Sequence, residues 1–314
     1  MPSRLAVVLV SLLMAAPVVI FWIWLVILPA GRELICPEKC RCELDGFDVN
    51  CSMSGLNSIP SNLPTHVRRL VLDNMNITFF ENDTFASRGL VELVTLLADF
   101  CKLRKIELGA LNGLTILKEL SVNGNEISEI IQGTFEKMSR LVKLQLDNNE
   151  IKQLDRNTLY GLVNLKNLSL QGNKLQYLHP DILVGLPNIQ FLFLSYNPGL
   201  QVPTDRHFIN SNSLKHLRIS GCNIKSVSVE TFANVSALDY LSLVFNKLRS
   251  VEMNILTALP ELSALYLYFN PLHCDCKLQE VWRWCQDHNM QTAYKQYAPI
   301  CVTPSEVEGM WWGC

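Results

Sequence analysis

A segment of about 24 residues recurs nine times along this 314-residue chain. A clear copy is LKELSVNGNEI, residues 117–127, with aliphatic residues at its first, fourth, sixth and eleventh positions and an asparagine at its ninth. Nine phased copies predict a repeat architecture, in which each unit completes its core only against its neighbours. The copies begin at residues 67, 93, 117, 141, 165, 189, 214, 238 and 262.

The short apolar stretch in each copy has the spacing of a β-strand. Leu120 and Val122 are two residues apart, so their side chains point to the same face of a strand. Further apolar residues recur in phase behind this strand, as at Ile130, Phe135 and Met138 in the third copy. This recurrence favours a continuous core between stacked strands and the back of each unit over a ligand-binding role for these residues.

An amide side chain follows the strand in most copies. The chain must turn sharply there, and a buried backbone group without a partner costs roughly 1–3 kcal/mol. A side-chain amide supplies both donors and an acceptor, so a column of asparagines is predicted to satisfy the turns from within. Its members are Asn125, Asn149, Asn173, Asn197, Asn246 and Asn270.

The complete pattern, L-x-x-L-x-L-x-x-N/C-x-L, resembles the leucine-rich repeat superfamily over residues 67–272. The resemblance implies an α/β solenoid, a horseshoe with a parallel β-sheet on its concave face, and an internal asparagine ladder. Cys101 and Cys222 stand at the ladder position in two repeats, where the family pattern tolerates a small buried thiol. Met75 stands there in the first repeat, where the ladder is expected to weaken.

Four cysteines precede the repeats in the segment CPEKCRCELDGFDVNC. Their spacing alone allows three disulfide pairings, and a zinc site is the rival interpretation. No histidine is nearby and an apolar segment precedes the cluster, which favours a disulfide-bonded cap. Residues 36–66 resemble the N-terminal flanking module of extracellular leucine-rich repeat proteins. That resemblance implies the pairs Cys36–Cys42 and Cys40–Cys51.

Five cysteines follow the repeats. Leu278, Val281 and Trp282 fall on one helical face with Cys285, suitable for covering the last repeat. Residues 273–314 resemble the C-terminal flanking module, but the odd number of cysteines suggests a missing partner and an incomplete cap. The resemblance implies the pair Cys274–Cys301. For Cys276, the leading assignment is a pair with Cys314.

The N-terminal segment, residues 1–30, is apolar and uncharged from residue 5 onward. It is longer than the core of an ordinary signal peptide and long enough for a membrane span, so a cleaved signal and an uncleaved signal-anchor both remain open. In either case the cysteine-rich caps place residues 36–314 outside the cell. Sequons agree with secretion and begin at Asn76, Asn82, Asn167 and Asn234, while the sequon at Asn50 abuts Cys51 and is a doubtful acceptor.

The net charge and the absence of known catalytic motifs disfavour several classes of function. A net charge of −2 gives no argument for nucleic acid. No nucleotide-binding, hydrolase or metalloprotease motif occurs, and His273 beside Cys274 fits the cap better than a metal site. The sequence therefore predicts no enzyme, no cofactor and no metal. The family resemblance implies an extracellular module that binds another protein through its concave surface, in recognition, adhesion or immunity; the alternative is a structural matrix component.

The exposed strand positions differ along the chain. In repeats three to five they are mostly polar, and a glycan on Asn167 would project from the same face. In repeats six, eight and nine they are aromatic, with basic residues between them in repeat seven. The polar positions are Lys118, Glu119, Ser121, Lys143, Gln145, Lys166 and Ser169.

Aromatic clusters on a rigid surface are typical binding anchors. Among the aromatic residues of repeats six, eight and nine, Phe191, Phe193, Tyr240 and Tyr266 are expected to point outward from the strands. Tyr196, Phe245 and Phe269, which are next to the ladder, have a second interpretation, in which they only stack between turns. The candidate binding residues are Phe191, Phe193, Tyr196, Lys215, His216, Arg218, Tyr240, Phe245, Tyr266, Tyr268 and Phe269.

Overall fold

A computed structural model describes residues 36–43, 46–273, 275–292 and 301–303. Two helices, α1 (Met253–Thr257) and α2 (Cys276–Asp287), lie near the C-terminus, and 3₁₀ turns cover Ala86–Arg88 and Glu230–Phe232. The strands are β1 (Arg41–Cys42), β2 (Asp48–Asn50), β3 (Arg69–Val71), β4 (Phe79–Phe80), β5 (Thr95–Leu97), β6 (Lys105–Ile106), β7 (Glu119–Ser121), β8 (Lys143–Gln145), β9 (Gln153–Leu154), β10 (Asn167–Ser169), β11 (Tyr177–Leu178), β12 (Phe191–Phe193), β13 (His216–Arg218), β14 (Tyr240–Ser242), β15 (Ala264–Tyr266), β16 (Leu272–His273) and β17 (Cys301–Thr303).

One eleven-stranded sheet runs the length of the solenoid in the order β1-β2-β3-β5-β7-β8-β10-β12-β13-β14-β15. All of its neighbours are parallel except β1 and β2. The strands are in register at their central leucines, so Leu120 lies opposite Leu96 on one side and Leu144 on the other. This arrangement confirms the predicted repeat solenoid with a parallel sheet.

The core is one continuous layer behind this sheet. The strand leucines are buried together with Ile130, Phe135 and Met138, as the phase of the repeat predicted. Among the described residues, the back of the solenoid consists mainly of turns, two-stranded pairs such as β4–β6 and β9–β11, and 3₁₀ turns. A repeat of about 24 residues has room for a strand and a short turn of this kind. Within the part of the chain that the structure describes, α-helix occurs only in the last repeat and the C-terminal cap.

The asparagine ladder forms as predicted. Asn149 Nδ2 donates to the carbonyl oxygens of Val122 (2.9 Å) and Leu146 (3.1 Å), and its Oδ1 accepts from the Ile127 amide (3.1 Å). The side chain therefore joins its own turn to the preceding repeat. Equivalent bonds are made by Asn125, Asn173, Asn197, Asn246 and Asn270.

The two ladder cysteines are buried and unpaired, as expected. Cys101 Sγ donates to the Leu72 carbonyl oxygen at 3.1 Å, and Cys222 Sγ to that of Leu194 at 3.3 Å. Burial raises the pKa of both thiols to about 11. They are therefore neutral at physiological pH and serve as weak donors, not as nucleophiles.

The N-terminal cap closes the first edge of the sheet. Disulfides join Cys36 to Cys42 and Cys40 to Cys51, which confirms the pairing implied by the family resemblance. They hold the antiparallel β1–β2 hairpin, whose second strand pairs with β3. The hairpin thus covers backbone groups that an open edge would expose.

The C-terminal cap presents an amphipathic helix to the last repeat. Asp275 caps α2 by accepting the Leu278 amide (2.9 Å), and Leu278, Val281 and Cys285 form its buried face. Cys276 is exposed at the first position of α2. Cys274 and Cys314 lie outside the described residues, so the pairs Cys274–Cys301 and Cys276–Cys314 stay predictions.

Among the residues that the structure describes, no helix has the length and apolar character needed to cross a membrane. The apolar N-terminal segment, residues 1–30, lies outside them. The choice between a signal peptide and a signal-anchor therefore stays open.

Candidate functional site

Three aromatic rings form a line across neighbouring strands on the exposed face of the sheet. Strand register places Phe191 of β12 beside His216 of β13, and His216 beside Tyr240 of β14. The rings of Phe191 and His216 stack at 4.6 Å, and those of His216 and Tyr240 at 5.3 Å. These separations are close to the strand spacing of about 4.8 Å, so the sheet itself sets the stack.

A cation lies between Tyr240 and a fourth ring of this surface, Phe193. The guanidinium carbon of Arg218 is 5.3 Å from the centre of the Phe193 ring and 5.1 Å from that of Tyr240. Both distances are within the range of a cation–π interaction. The Arg218 side chain is exposed, so the two rings orient a charge that stays accessible. We call Phe191, Phe193, His216, Arg218 and Tyr240 the aromatic surface.

The aromatic surface has a defined charge near neutral pH. Burial lowers the pKa of His216, the Asp239 carboxylate acts in the opposite direction, and Arg218 and Lys215 lower it further. The imidazole is therefore mainly neutral at pH 7. Lys215, which is exposed immediately before β13, supplies a second positive charge that acts on His216.

Tyr266 does not belong to this exposed surface, contrary to the sequence prediction. Its side chain is only 6% exposed and forms a small cluster with Val244 and Ala264, against which Tyr240 and Tyr268 pack. The Tyr266 hydroxyl donates to Gln291 Oε1 at 3.2 Å. Gln291 also accepts a backbone bond from Leu265, so the segment that follows α2 covers this end of the sheet.

Removing the Tyr266 hydroxyl should therefore reduce stability. We expect Tyr266→Phe to lower the free energy of unfolding by about 0.5–1.5 kcal/mol, the range for a lost intramolecular hydrogen bond. Denaturant unfolding would measure the change. Tyr177→Phe, at an exposed ring on β11, is the matched control and should alter stability by less. Equal effects of the two substitutions would contradict a stabilising bond to Gln291.

Three candidate aromatics lie in the turns, not on the strands. Tyr196, Phe245 and Phe269 have positive φ angles of 61°, 56° and 59°, and their side chains are 58%, 50% and 47% exposed. Phe245 and Phe269 stack at 4.3 Å. The Tyr196 ring lies over Gly221, where an added Cβ would approach the ring to 2.9 Å. These contacts agree with the interpretation in which the three residues stack between turns, and their role in binding stays a prediction.

Sequence reasoning missed a fourth member of this column, Phe100. It too has a positive φ, is largely exposed, and lies over Gly124. The available signal was its position immediately before the ladder residue Cys101, the same offset as Tyr196 before Asn197.

The polar half of the sheet contains a second ladder that the sequence did not reveal. Ser121 and Ser169 were expected to be exposed, but both are buried. Ser121 Oγ donates to Asp99 Oδ1 at 2.7 Å, and Ser169 Oγ donates to Asp147 Oδ1 at 2.5 Å. Burial raises the pKa of Asp147, although its hydrogen bonds with Ser169 and Gln171 act in the opposite direction. The serine hydroxyls and aspartate carboxylates thus use one another as hydrogen-bond partners. Fewer polar groups of this half of the sheet are therefore available to bind a ligand.

The geometry thus defines a repeat solenoid with an ordered aromatic surface on its parallel sheet. The chain belongs to the leucine-rich repeat family, whose sequence profile matches residues 91–151, 139–198 and 212–272, more than half of the chain. Membership of this family confirms the predicted class.

Two relatives show how far the likeness extends. Trophoblast glycoprotein of Macaca fascicularis is 27% identical over 252 residues, 79% of this chain and 59% of that protein. A peroxidasin homologue of Caenorhabditis briggsae is 46% identical over 54 residues, 17% of this chain and 4% of that protein. The chain therefore spans less than two thirds of either relative.

Solved structures agree on the fold. The crystal structure of human trophoblast glycoprotein superposes with a TM-score of 0.65 at 22% identity, covering 90% of this chain and 96% of that one. A chain of the octameric complex of latrophilin 3, Unc5D and the leucine-rich repeat protein FLRT2 gives a TM-score of 0.61 at 20% identity, covering 88% and 97%. At these identities the likeness establishes the architecture alone.

Proposed function

We propose that this protein is an extracellular recognition module that binds another protein through the aromatic surface. The observation that carries the proposal is the ordered stack of Phe191, His216 and Tyr240, with Arg218 held between rings, on an accessible sheet face. Such rings give large contact area at a low cost in conformational entropy, because packing already fixes them. The two disulfides of the N-terminal cap support secretion.

The charge of the surface suggests one feature of the partner. Lys215 and Arg218 are exposed, and neither forms a direct ion pair among the described residues. An acidic group on the partner would complement both charges at the centre of the surface, while apolar side chains would cover the flanking rings. A related fold is assembled with latrophilin 3 and Unc5D in the FLRT2 complex, which is consistent with protein recognition.

A glycan on Asn167 would limit the footprint of this partner. Asn167 lies opposite Phe191 in the strand register and opposite Lys143 on its other side. A sugar attached there would stand at the border between the polar strands and the aromatic surface. In this proposal the partner approaches from the C-terminal half of the sheet.

Alanine substitutions within the aromatic surface provide the test. Phe193→Ala and Tyr240→Ala should each weaken binding by roughly 1–4 kcal/mol if these residues are hot spots, about 5-fold to 1,000-fold in Kd. The secreted chain, presented as a tetramer, would be screened against a panel of ectodomains, and the affinity of each hit measured with every variant. Both rings are half-buried at the surface, so melting temperatures should change little.

Two controls make the result interpretable. Tyr177→Ala removes an exposed ring on a strand outside the large sheet and should leave affinity unchanged. Unaltered affinity of both aromatic-surface variants for every hit would rule out this surface as the site. Recovery of the protein only in insoluble matrix, with no soluble partner, would instead support the structural-matrix alternative.

A further inference from the structure

A groove of about 870 Å³ lies away from the aromatic surface, among the segments that lead into β12, β13 and β14. Its volume falls in the range of about 300–1,000 Å³ that is usual for small-molecule sites. Val163, Val184 and Pro187 contribute apolar surface, and Asn210, Ser211 and Asn234 contribute amides and a hydroxyl.

The groove arises where the repeat is least regular. The sixth repeat is one residue longer than its neighbours, and residues 201–213 contain neither helix nor strand. The backbone N–H of Asn210 donates to the backbone carbonyl oxygen of Pro180 at 2.8 Å, and the backbone N–H of Ser211 donates to the backbone carbonyl oxygen of Asn234 at 2.9 Å. These bonds fix the loop against both adjacent repeats and leave the groove between them.

The chemistry of the groove suits a neutral, amphipathic ligand. None of the described residues that line it has an ionisable side chain. Val184 is 56% exposed, and hydroxyl and amide groups border the same space. A sugar presents C–H groups on one side and hydroxyls around its rim, which matches this mixture of apolar and hydrogen-bonding groups.

The chain carries its own attachment point for such a ligand. Asn234, Val235 and Ser236 form an N-x-S sequon, and both Asn234 and Ser236 line the groove. Val235 is buried in the core, so the backbone that bears the acceptor is anchored. Neither the groove nor the Asn234 sequon contributes a residue to the aromatic surface.

The Asn234 side chain is also oriented. Its Nδ2 donates to Asn210 Oδ1, and Asn210 Nδ2 in turn donates to Asp181 Oδ1 at 2.5 Å. An asparagine nitrogen that carries a glycan keeps one hydrogen, so the bond to Asn210 is compatible with modification. Retaining that bond would hold the first sugar at the mouth of the groove.

We propose that Asn234 carries an N-linked glycan whose first sugars lie in this groove against Val184 and Pro187. The glycan comes from a lipid-pyrophosphate-linked oligosaccharide of the secretory pathway. A bond forms between Asn234 Nδ2 and the anomeric carbon, the bond from that carbon to the pyrophosphate oxygen breaks, and one amide proton is lost as the lipid pyrophosphate leaves. The proposal rests on secretion but not on binding by the aromatic surface.

The test uses the full chain produced in a secretory host. Peptide mass spectrometry measures occupancy of Asn234, and release of this glycan from the native protein by an endoglycosidase measures its protection. Wild type and Ser236→Thr, which keeps the sequon, should both be modified, whereas Ser236→Ala should not. Val184→Glu should speed release at least tenfold, equivalent to a docking free energy of about 1.4 kcal/mol.

Val91→Glu is the matched control, because Val91 is 46% exposed and does not line the groove. It should leave the release rate unchanged, and melting temperatures would verify that both variants fold. An unmodified Asn234 in the wild type would overturn the proposal and leave the groove open to another occupant. Equal release rates in wild type and Val184→Glu would show that the glycan projects into solvent, which also overturns it. Partner affinity at the aromatic surface is a separate readout, so either proposal can fail alone.

Discussion

Replacing Asn149 by alanine should lower the free energy of unfolding by about 3–5 kcal/mol. The substitution removes the bonds to the Val122 and Leu146 carbonyl oxygens and from the Ile127 amide. Each buried group left without a partner costs roughly 1–3 kcal/mol, and water entering the space would recover part of the loss. Denaturant unfolding monitored by circular dichroism would measure the effect.

The chain supplies its own control for this experiment. Cys101 and Cys222 occupy the ladder position elsewhere, and each sulfur lies within donating distance of two carbonyl oxygens. Asn149→Cys should therefore lose less stability than Asn149→Ala, although it still lacks an acceptor for Ile127. A loss below about 1 kcal/mol for Asn149→Ala would contradict the structural importance of the ladder. Because each repeat contacts mainly its neighbours, hydrogen exchange should increase first in repeats three to five.

Removal of the disulfide between Cys40 and Cys51 should have an effect of similar size. Loss of a native disulfide typically costs 2–5 kcal/mol in small secreted domains, and we expect about that range for Cys40→Ser combined with Cys51→Ser. Cys51 is fully buried beneath the cap, so the double variant also loses packing. Release of the β1–β2 hairpin would expose the edge of β3 and promote association between chains.

Chemical denaturation and size-exclusion chromatography would detect these two consequences. Asp48→Ala is a control within the same cap, because it removes only the exposed ion pair with Arg69 at 3.0 Å. Such pairs contribute about 0–1 kcal/mol, so this variant should stay close to wild type. A double cysteine variant that unfolds at the wild-type denaturant concentration would show that the cap does not stabilise the solenoid.

The amino-acid sequence by itself determined the repeat architecture. The position of each strand, the burial of Ile130 and Phe135, and the ladder bonds of Asn149 all follow from residues within one repeat and its neighbour. Since a solenoid is built from such nearest-neighbour contacts, a phased pattern of 24 residues encodes most of the fold. The pairing of the N-terminal cysteines was implied by the family resemblance of residues 36–66, because their spacing alone allowed three pairings, and the structure confirms it.

Only the tertiary structure decided which outward-facing side chains are exposed. Tyr266 has the same strand position as Phe193 and Arg218, yet it is buried because Gln291, 25 residues away, covers it. Ser121 is buried for a similar reason, through a bond to Asp99 in the preceding repeat. The period fixes the direction of a side chain, whereas its burial depends on the particular residues that neighbouring repeats and the cap place around it.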